Sequence, residues 1–468
     1  MASLYHNSNQ EVLGSFKIQD ESNLENHKKQ PLNSPESLHE DCPTNFSSTK
    51  SSKFWWDTAG SIFRALLSSA QYNPGEQKRA VDFYRYVVAP NLGPEPHLGI
   101  GQHPWPSFMT DDFSPLEFSW CWGSLRNPVA PSIRLSFEAI GTQAGTLADP
   151  WNSASTLDLV ERLRATIPTV DLEYFDLFSK HLVPDNSLTI NDALNFHGYR
   201  SSLFLAVEFK NHEPTIKVYW LPLLKALQTL QPMSTMICGA LESVSSSLKG
   251  FSALDKLIDF LKNTAPLLGL TPFIVATDCI TVSKSRIKVY TRCQETSFAS
   301  VEAMMSLFSG NQIISNGIQQ LRDLWRLMLL QNEEFCPTKN LPACSHITAG
   351  MLYYFEVNQS SMEITTKVYI PVKHYGKNDQ VVSAGLAKFL RGRDDYYGAI
   401  FERYLDAMNY ICSHRDLAST NGLQTYISCR IKDDSLELTS YLSPQIYHPG
   451  RSWDLEGSAA DNKSSIYL

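Results

Sequence analysis

Apolar residues in this chain recur in two periods, and the periods alternate along it. Five times, two short stretches with strand-like alternation stand close together. PLEFSWCW (115–122) precedes SIRLSFEAIG (132–141), and LFLAVEFK (203–210) precedes TIKVYWLP (215–222). FIVATDCITV (273–282) precedes SRIKVYTRC (285–293), GMLYYFEV (350–357) precedes ITTKVYIPV (364–372), and LQTYISCRI (423–431) precedes LELTSYLSP (436–444). Turn-like residues join them, as at Asn211-His212-Glu213-Pro214 and Lys432-Asp433-Asp434. Between the pairs, VERLRATI, DKLIDFLKNT, GIQQLRDLWRLMLL and YGAIFERYLDAM show helical spacing. Upstream, WWDTAGSIFRALLSSA predicts a helix with Trp56, Ile62, Phe63, Leu66 and Leu67 on one face. EQKRAVDFYRYVVAPNLG predicts a second, closed by Pro90 and Gly93. The pattern predicts an α+β chain of ten strands in antiparallel hairpins with helices between them. Such hairpins can close into one barrel ringed by its helices.

Closure would give the strand alternation a chemical meaning. Lys-Val-Tyr occurs as Lys217-Val218-Tyr219, Lys288-Val289-Tyr290 and Lys367-Val368-Tyr369, each late in a strand-like stretch. Residues i and i+2 of a strand share a face, so each copy projects an ammonium beside a phenol. Arg286 extends the second copy to Arg, Lys, Tyr. One Lys-x-Tyr reads most simply as a solvated strand face. Three copies on separate strands, turned inward, would instead line a polar, aromatic chamber suited to a ligand. A compact anion flanked by an electron-poor carbon, such as a prenyl diphosphate, has the matching character.

The chain has 468 residues, 43% hydrophobic and 11% aromatic, enough for a substantial core. Its formal charge of −8 argues against a general binder of nucleic acid or acidic membrane, so any basic cluster is local. The nine cysteines are odd in number with no CxxC pair, and the start lacks an apolar signal core. No run approaches bilayer length. A cytoplasmic location, with neither membrane nor nucleic-acid partner, is expected. Residues 1–52, rich in Ser, Asn, Glu, Lys and Pro, are expected to form a disordered leader. Residues 53–448 are expected to form one domain and 449–468 a flexible tail.

FWWDTAG, YRYVVAPNLGP, FMTDDFSPLEFSW, IRLSFEAIG, IKVYWLP, RIKVY, TKVYIPV and the final TYISCR…YLSP together resemble the fungal dimethylallyltryptophan synthase family of aromatic prenyltransferases. The resemblance runs from about Phe54 to about Pro444. It implies repeated α-β-β-α units forming a ten-stranded antiparallel barrel around a reaction chamber. It also implies transfer of a dimethylallyl group from dimethylallyl diphosphate to an electron-rich aromatic ring in fungal secondary metabolism. The implied acceptor is an indole alkaloid, an indole diterpene or a polycyclic phenol, MTDDFSPLEFSW being closer to members that act on larger polycyclic acceptors. No cofactor is implied as required, Mg²⁺ or Ca²⁺ being at most stimulatory, and the enzyme is expected as a monomer or homodimer. The acidic pairs Asp111-Asp112, Asp394-Asp395 and Asp433-Asp434 lack the third Asp of a metal-binding DDxxD motif. Fixed cations would then have to neutralise the leaving diphosphate.

Carried over residue by residue, the resemblance assigns Glu117 to binding the acceptor and taking up its proton. Arg134, Lys217, Arg286, Lys288, Lys367 and Arg430 are assigned to the diphosphate. Lys367 is a departure, since several relatives carry Gln there. Tyr219, Tyr290, Tyr369 and Tyr441 would shield the allyl cation with their negative ring faces. Phe108, Met109 and Leu116 are expected beside Glu117 in the acceptor pocket. His103, His197 and His212 show no metal-ligand spacing, so no metal site is expected. Cys121 reads as a buried thiol, and Lys210 is a further candidate acid or base. A non-catalytic barrel carrying an isoprenoid or aromatic metabolite is the alternative, and a metal-dependent terpene enzyme is disfavoured by the missing motif.

Overall fold

The computed structural model describes residues 49–95, 105–127, 129–185, 199–209, 213–248, 250–310, 312–330, 334–393 and 395–451. His103, His197, His212 and Lys210 lie outside them, as do most of the expected leader and tail. Two boundaries differ from expectation. A helix already spans Lys50–Asp57, where the Thr49 side chain accepts from the Ser52 amide. At the other end, the Arg451 guanidinium donates to the carbonyls of Ile411 and Pro444.

The strands are β1 Leu116–Ser124, β2 Ser132–Phe137, β3 Leu203–Glu208, β4 Thr215–Trp220 and β5 Leu270–Asp278. They continue with β6 Arg286–Cys293, β7 Met351–Asn358, β8 Thr365–Ile370, β9 Gln424–Lys432 and β10 Ser435–Leu442. All ten form one closed barrel in the order β1-β10-β9-β8-β7-β6-β5-β4-β3-β2, and every pairing is antiparallel. The five expected hairpins are all present. In the last, Asp433 and Asp434 take φ of 51° and 55° between β9 and β10, the left-handed two-residue turn that matches strand twist.

Alternation divides the protein into two cores. Outward residues such as Phe118, Trp120, Val218, Val289 and Val368 pack against the surrounding helices in one large buried cluster. The N-terminal helical stripe joins it, with Phe63 stacked on Phe118 at 5.9 Å. That stripe is two helices, Lys50–Asp57 and Ala59–Ser69, which bury Trp55 and leave Trp56 half-exposed. Inward residues form a separate aromatic cluster of Ala276, Tyr290, Leu352, Tyr354 and Tyr369, with Tyr219, Phe273, Ile274, Tyr426 and Tyr441 against it. Among the described residues no helix is long and apolar enough to cross a membrane.

Candidate active site

Strand register brings the sequence-predicted cations into one chamber. Lys217 stands opposite Asp278, Lys288 opposite Glu356, Lys367 opposite Arg430, and Arg134 opposite Glu208. Each neighbouring carboxylate is used. Arg134 and Lys217 share Glu208 at 2.8 and 2.6 Å. Arg286 and Lys288 share Asp278 at 2.6 and 3.2 Å. Arg286 also approaches Glu356 at 3.5 Å, and Arg430 donates to Glu437 at 2.8 Å. Lys367 differs: its ammonium donates to the Thr439 hydroxyl at 3.5 Å and lies 5.6 Å from the centre of the Tyr369 ring.

The lysines are nearly inaccessible, at 5% exposure for Lys217, 6% for Lys288 and 8% for Lys367. Burial, and then the positive charge of Arg134, push Lys217 and Lys367 down to about 8. Burial would raise the carboxyl of Asp278, yet Lys288, Arg286 and Lys217 hold it well below the usual carboxylate range. The result is a compact basic cluster with its own counterions, able to hold a small polyanion by exchanging partners.

Beside the cluster lies a tyrosine ring. Tyr290 neighbours Tyr219, Tyr354 and Tyr369 at centroid distances of 6.0, 5.4 and 5.8 Å, and Tyr369 neighbours Tyr441 at 5.4 Å. The Tyr441 hydroxyl donates to that of Tyr369 at 3.3 Å. Burial pushes Tyr441 up to about 12 and raises Tyr219, Tyr290 and Tyr369, so the phenols stay neutral. Neutral ring faces can stabilise a cation held among them, by about 0.5–2 kcal/mol each.

Glu117 projects inward from β1, where its Oε1 accepts from the Thr425 hydroxyl at 2.6 Å. Burial pushes its carboxyl up to about 7, against the Thr425 hydrogen bond and the positive charge of Lys373. Phe108 and Met109 lie half-buried on the segment leading into β1, with the Phe108 ring stacked 4.1 Å from Tyr199. Leu116 is a correction. It is fully buried in the outer core, because adjacent strand residues face opposite sides and Glu117 takes the inner one.

Several site residues were missed by sequence reasoning. The counterions Glu208, Asp278, Glu356 and Glu437 sit on hairpin partners of the basic strands. Tyr354 and Tyr426 complete the aromatic wall, and Thr425 holds Glu117. Tyr354-x-Glu356 carried a usable signal, since it repeats the i, i+2 logic of Lys-x-Tyr with an acid. Asp112 is a loop tie, accepting from Thr110, Ser114 and the Tyr447 amide. Asp111, His346 and His374 bring possible ligand atoms within 4.8 Å of one another, a grouping that sequence spacing did not reveal. The Lys373 ammonium, 2.7 Å from Asp111, already supplies a cation there.

A closed antiparallel barrel enclosing a basic cluster, a tyrosine ring and a raised carboxyl defines the class of aromatic prenyl-transfer barrels. Residues 51–406 match the family described as tryptophan dimethylallyltransferase, and the chain belongs to that family, whose members are dimethylallyl aromatic prenyltransferases. It is 34% identical over 407 residues to 4-O-dimethylallyl-L-tyrosine synthase of Claviceps purpurea, covering 84% of this chain and 88% of that one. It is 28% identical to xanthone prenyltransferase B of Emericella nidulans, covering 85% and 88%. Among solved structures, AnaPT from Neosartorya fischeri aligns with a TM-score of 0.70 at 26% identity, over 85% of this chain and 95% of that one.

Proposed function

We propose that this enzyme transfers a dimethylallyl group from its diphosphate to an electron-rich phenol or indole ring, with no divalent metal required. The observation carrying this reading is the order inside the barrel: basic cluster, neutral tyrosine ring, then Glu117. Arg134, Lys217, Arg286, Lys288, Lys367 and Arg430 receive the diphosphate as the carbon–oxygen bond breaks. Tyr219, Tyr290, Tyr354, Tyr369, Tyr426 and Tyr441 face the allyl cation and keep water from it. The acceptor ring attacks, and Glu117 takes the proton released when a new bond forms at ring carbon or phenol oxygen. Phe108 and Met109 flank the acceptor. Relatives named for tyrosine and for xanthone support a phenol, and one named for tryptophan supports an indole. All described cysteines are free thiols, which supports a reducing, cytoplasmic setting.

A carrier of isoprenoids would need the aromatic lining but not a basic cluster facing a raised carboxyl. Incubation with dimethylallyl diphosphate and a panel of indoles and phenols separates the two readings. The expected result is stoichiometric diphosphate release with prenylated product identified by mass. Tight donor binding with no consumption in the presence of any acceptor would favour the carrier.

A further inference from the structure

Three potential metal ligands meet outside the tyrosine cage, and the proposed reaction uses none of them. Asp111 lies in the loop before β1, His346 in the segment leading into β7, and His374 on the short helix Val372–Tyr375 after β8. Their ligand atoms fall within 4.8 Å of one another, and the two imidazole centroids stand 4.8 Å apart. The Thr348 hydroxyl joins the rings, 2.8 Å from His346 Nδ1 and 2.7 Å from His374 Nε2. Burial holds both rings below the usual histidine range, so near pH 7 they present lone pairs rather than charge. Lys373 is the resident cation. Its ammonium is 2.7 Å from Asp111 and 5.4 Å from the centre of the Tyr426 ring.

Donor chemistry decides which cation can compete with that ammonium. Two imidazoles and one carboxylate, brought together from three separate elements, form a set that suits Zn²⁺ or Fe²⁺ and leaves coordination positions open. Mg²⁺ and Ca²⁺ prefer oxygen ligands and gain little from imidazole. Bonds of about 2.0–2.2 Å set neighbouring ligand atoms roughly 3–3.5 Å apart, so the group has to contract around a metal. Asp111 and His346 are exposed and have room to turn. A bound metal takes Asp111 from Lys373, whose ammonium keeps the Tyr426 ring face. The exchange is felt at Glu117. Burial raises that carboxyl, while Lys373 favours its ionised form and Asp111 opposes it. Neutralising Asp111 therefore eases the ionisation of Glu117.

We propose that Asp111, His346 and His374 form a regulatory site for a divalent transition metal, Zn²⁺ or a cation of similar preference, which displaces Lys373 from Asp111. Thr348 positions the two imidazoles and is not itself a ligand. Lys367 lies near the start of β8 and Lys373 beyond its end, so the site is separate from the cations given to the diphosphate. Its metal has no part in neutralising the leaving group, and its binding does not depend on prenyl transfer.

The test titrates the full, tag-free chain, stripped of metal by chelator, with Co²⁺ as a spectroscopic stand-in for Zn²⁺. A single equivalent should bind with visible absorption bands, yield to Zn²⁺ and resist excess Mg²⁺. Thr348→Val should weaken binding on the order of tenfold, and His346→Ala, His374→Ala and Asp111→Asn by at least about as much. Lys373→Met removes the competitor and should tighten binding, a gain that misfolding cannot produce. His414→Ala is the control and should change nothing. The His414–His448 ring pair, with centroids 4.6 Å apart, has no carboxylate grouped with it among the described residues. With a working acceptor, buffered free Zn²⁺ should move the rising limb of the pH–rate profile to lower pH. Absent binding, or binding that survives all three ligand substitutions, is lost in His414→Ala or weakens in Lys373→Met, would overturn the site. An unmoved limb with metal bound would overturn its coupling to Glu117. Absence of turnover with every acceptor would count against prenyl transfer alone, since binding is read without it.

Discussion

A carboxyl that titrates near neutrality can accept a proton in mid-reaction, which an ordinary glutamate does poorly. Glu117 owes this to burial, only partly offset by Thr425 and Lys373. In its proposed role as base it works ionised, so kcat/KM for the acceptor should rise with pH through about 7 and level off above. Glu117→Gln should lose that rising limb and about 10²–10⁴-fold in rate while still binding the donor. The stability sign is opposite to that of a paired acid. A carboxyl raised in the folded state costs stability once pH passes its unfolded value, increasingly up to its folded one. Glu117→Gln should therefore show no loss of thermal midpoint at pH 8, and a gain is consistent. A fall in midpoint together with unchanged pH dependence would remove Glu117 from the mechanism. Glu117 itself was legible because its motif is local and strand alternation gave it a face. Thr425 was not, because it reaches Glu117 only through barrel closure, 308 residues along the chain. Leu116 was misread because proximity in sequence was taken for proximity in space.

Strand pairs, rather than single strands, make the proposed donor site. β6 supplies Arg286 and Lys288, while its neighbours β5 and β7 supply Asp278 and Glu356. Asp278 is 2% exposed and serves Lys288, Arg286 and Lys217 together. Asp278→Asn should leave three cations facing one another with reduced compensation. Breaking a buried pair in this way costs about 3–5 kcal/mol. Its thermal midpoint should fall below wild type, and added pyrophosphate should recover much of the loss, because a ligand that binds only the folded state stabilises it. Pyrophosphate should raise the wild-type midpoint by less. No shift in either protein would show that the cluster does not bind diphosphate. The depressed Asp278 carboxyl gives the usual acid dependence: its stabilisation is full above its unfolded titration and is lost as pH falls below it. The cations were legible from Lys-Val-Tyr. Their counterions were not, since Glu208, Asp278 and Glu356 each look like an isolated surface acid until the pairing register is known. A buried support was missed for the same reason. Glu138 accepts from Trp105, Ser107 and Ser201, and Ser201 in turn accepts from the Phe108 amide, fixing the segment that leads to the acceptor side.

At the scale of the molecule, charge is distributed against the average. The chain carries −8 overall, yet its chamber gathers Arg134, Lys217, Arg286, Lys288, Lys367 and Arg430 against Glu208, Asp278, Glu356 and Glu437. That surplus was only half visible in sequence. Five hairpins with helices between them already suggested a barrel, but the β1–β10 pairing that closes it joins Phe118 to Leu442 with no local signal. Closure turns a set of separate strand faces into one electropositive cavity, and in the proposed reaction its fixed cations would neutralise the leaving diphosphate in place of a metal. Excess EDTA should thus leave kcat/KM for dimethylallyl diphosphate essentially unchanged. Lys367 gives the sharper test, because its contact is the Thr439 hydroxyl at 3.5 Å while Lys217 and Lys288 each hold a carboxylate. An incoming anion therefore meets less competition at Lys367 than at Lys217 or Lys288. Lys367→Gln removes that charge and keeps a polar side chain. It should raise KM for the donor on the order of tenfold or more, the loss of a charge-assisted contact. Mg²⁺, which travels with diphosphate and carries part of the missing charge, should then stimulate the variant more than the wild type, and EDTA should abolish that extra stimulation. A wild-type enzyme silenced by chelator and restored by Mg²⁺ would overturn the fixed-cation account. A Lys367→Gln enzyme with wild-type donor kinetics would place the working charge on the arginines and on the paired lysines instead.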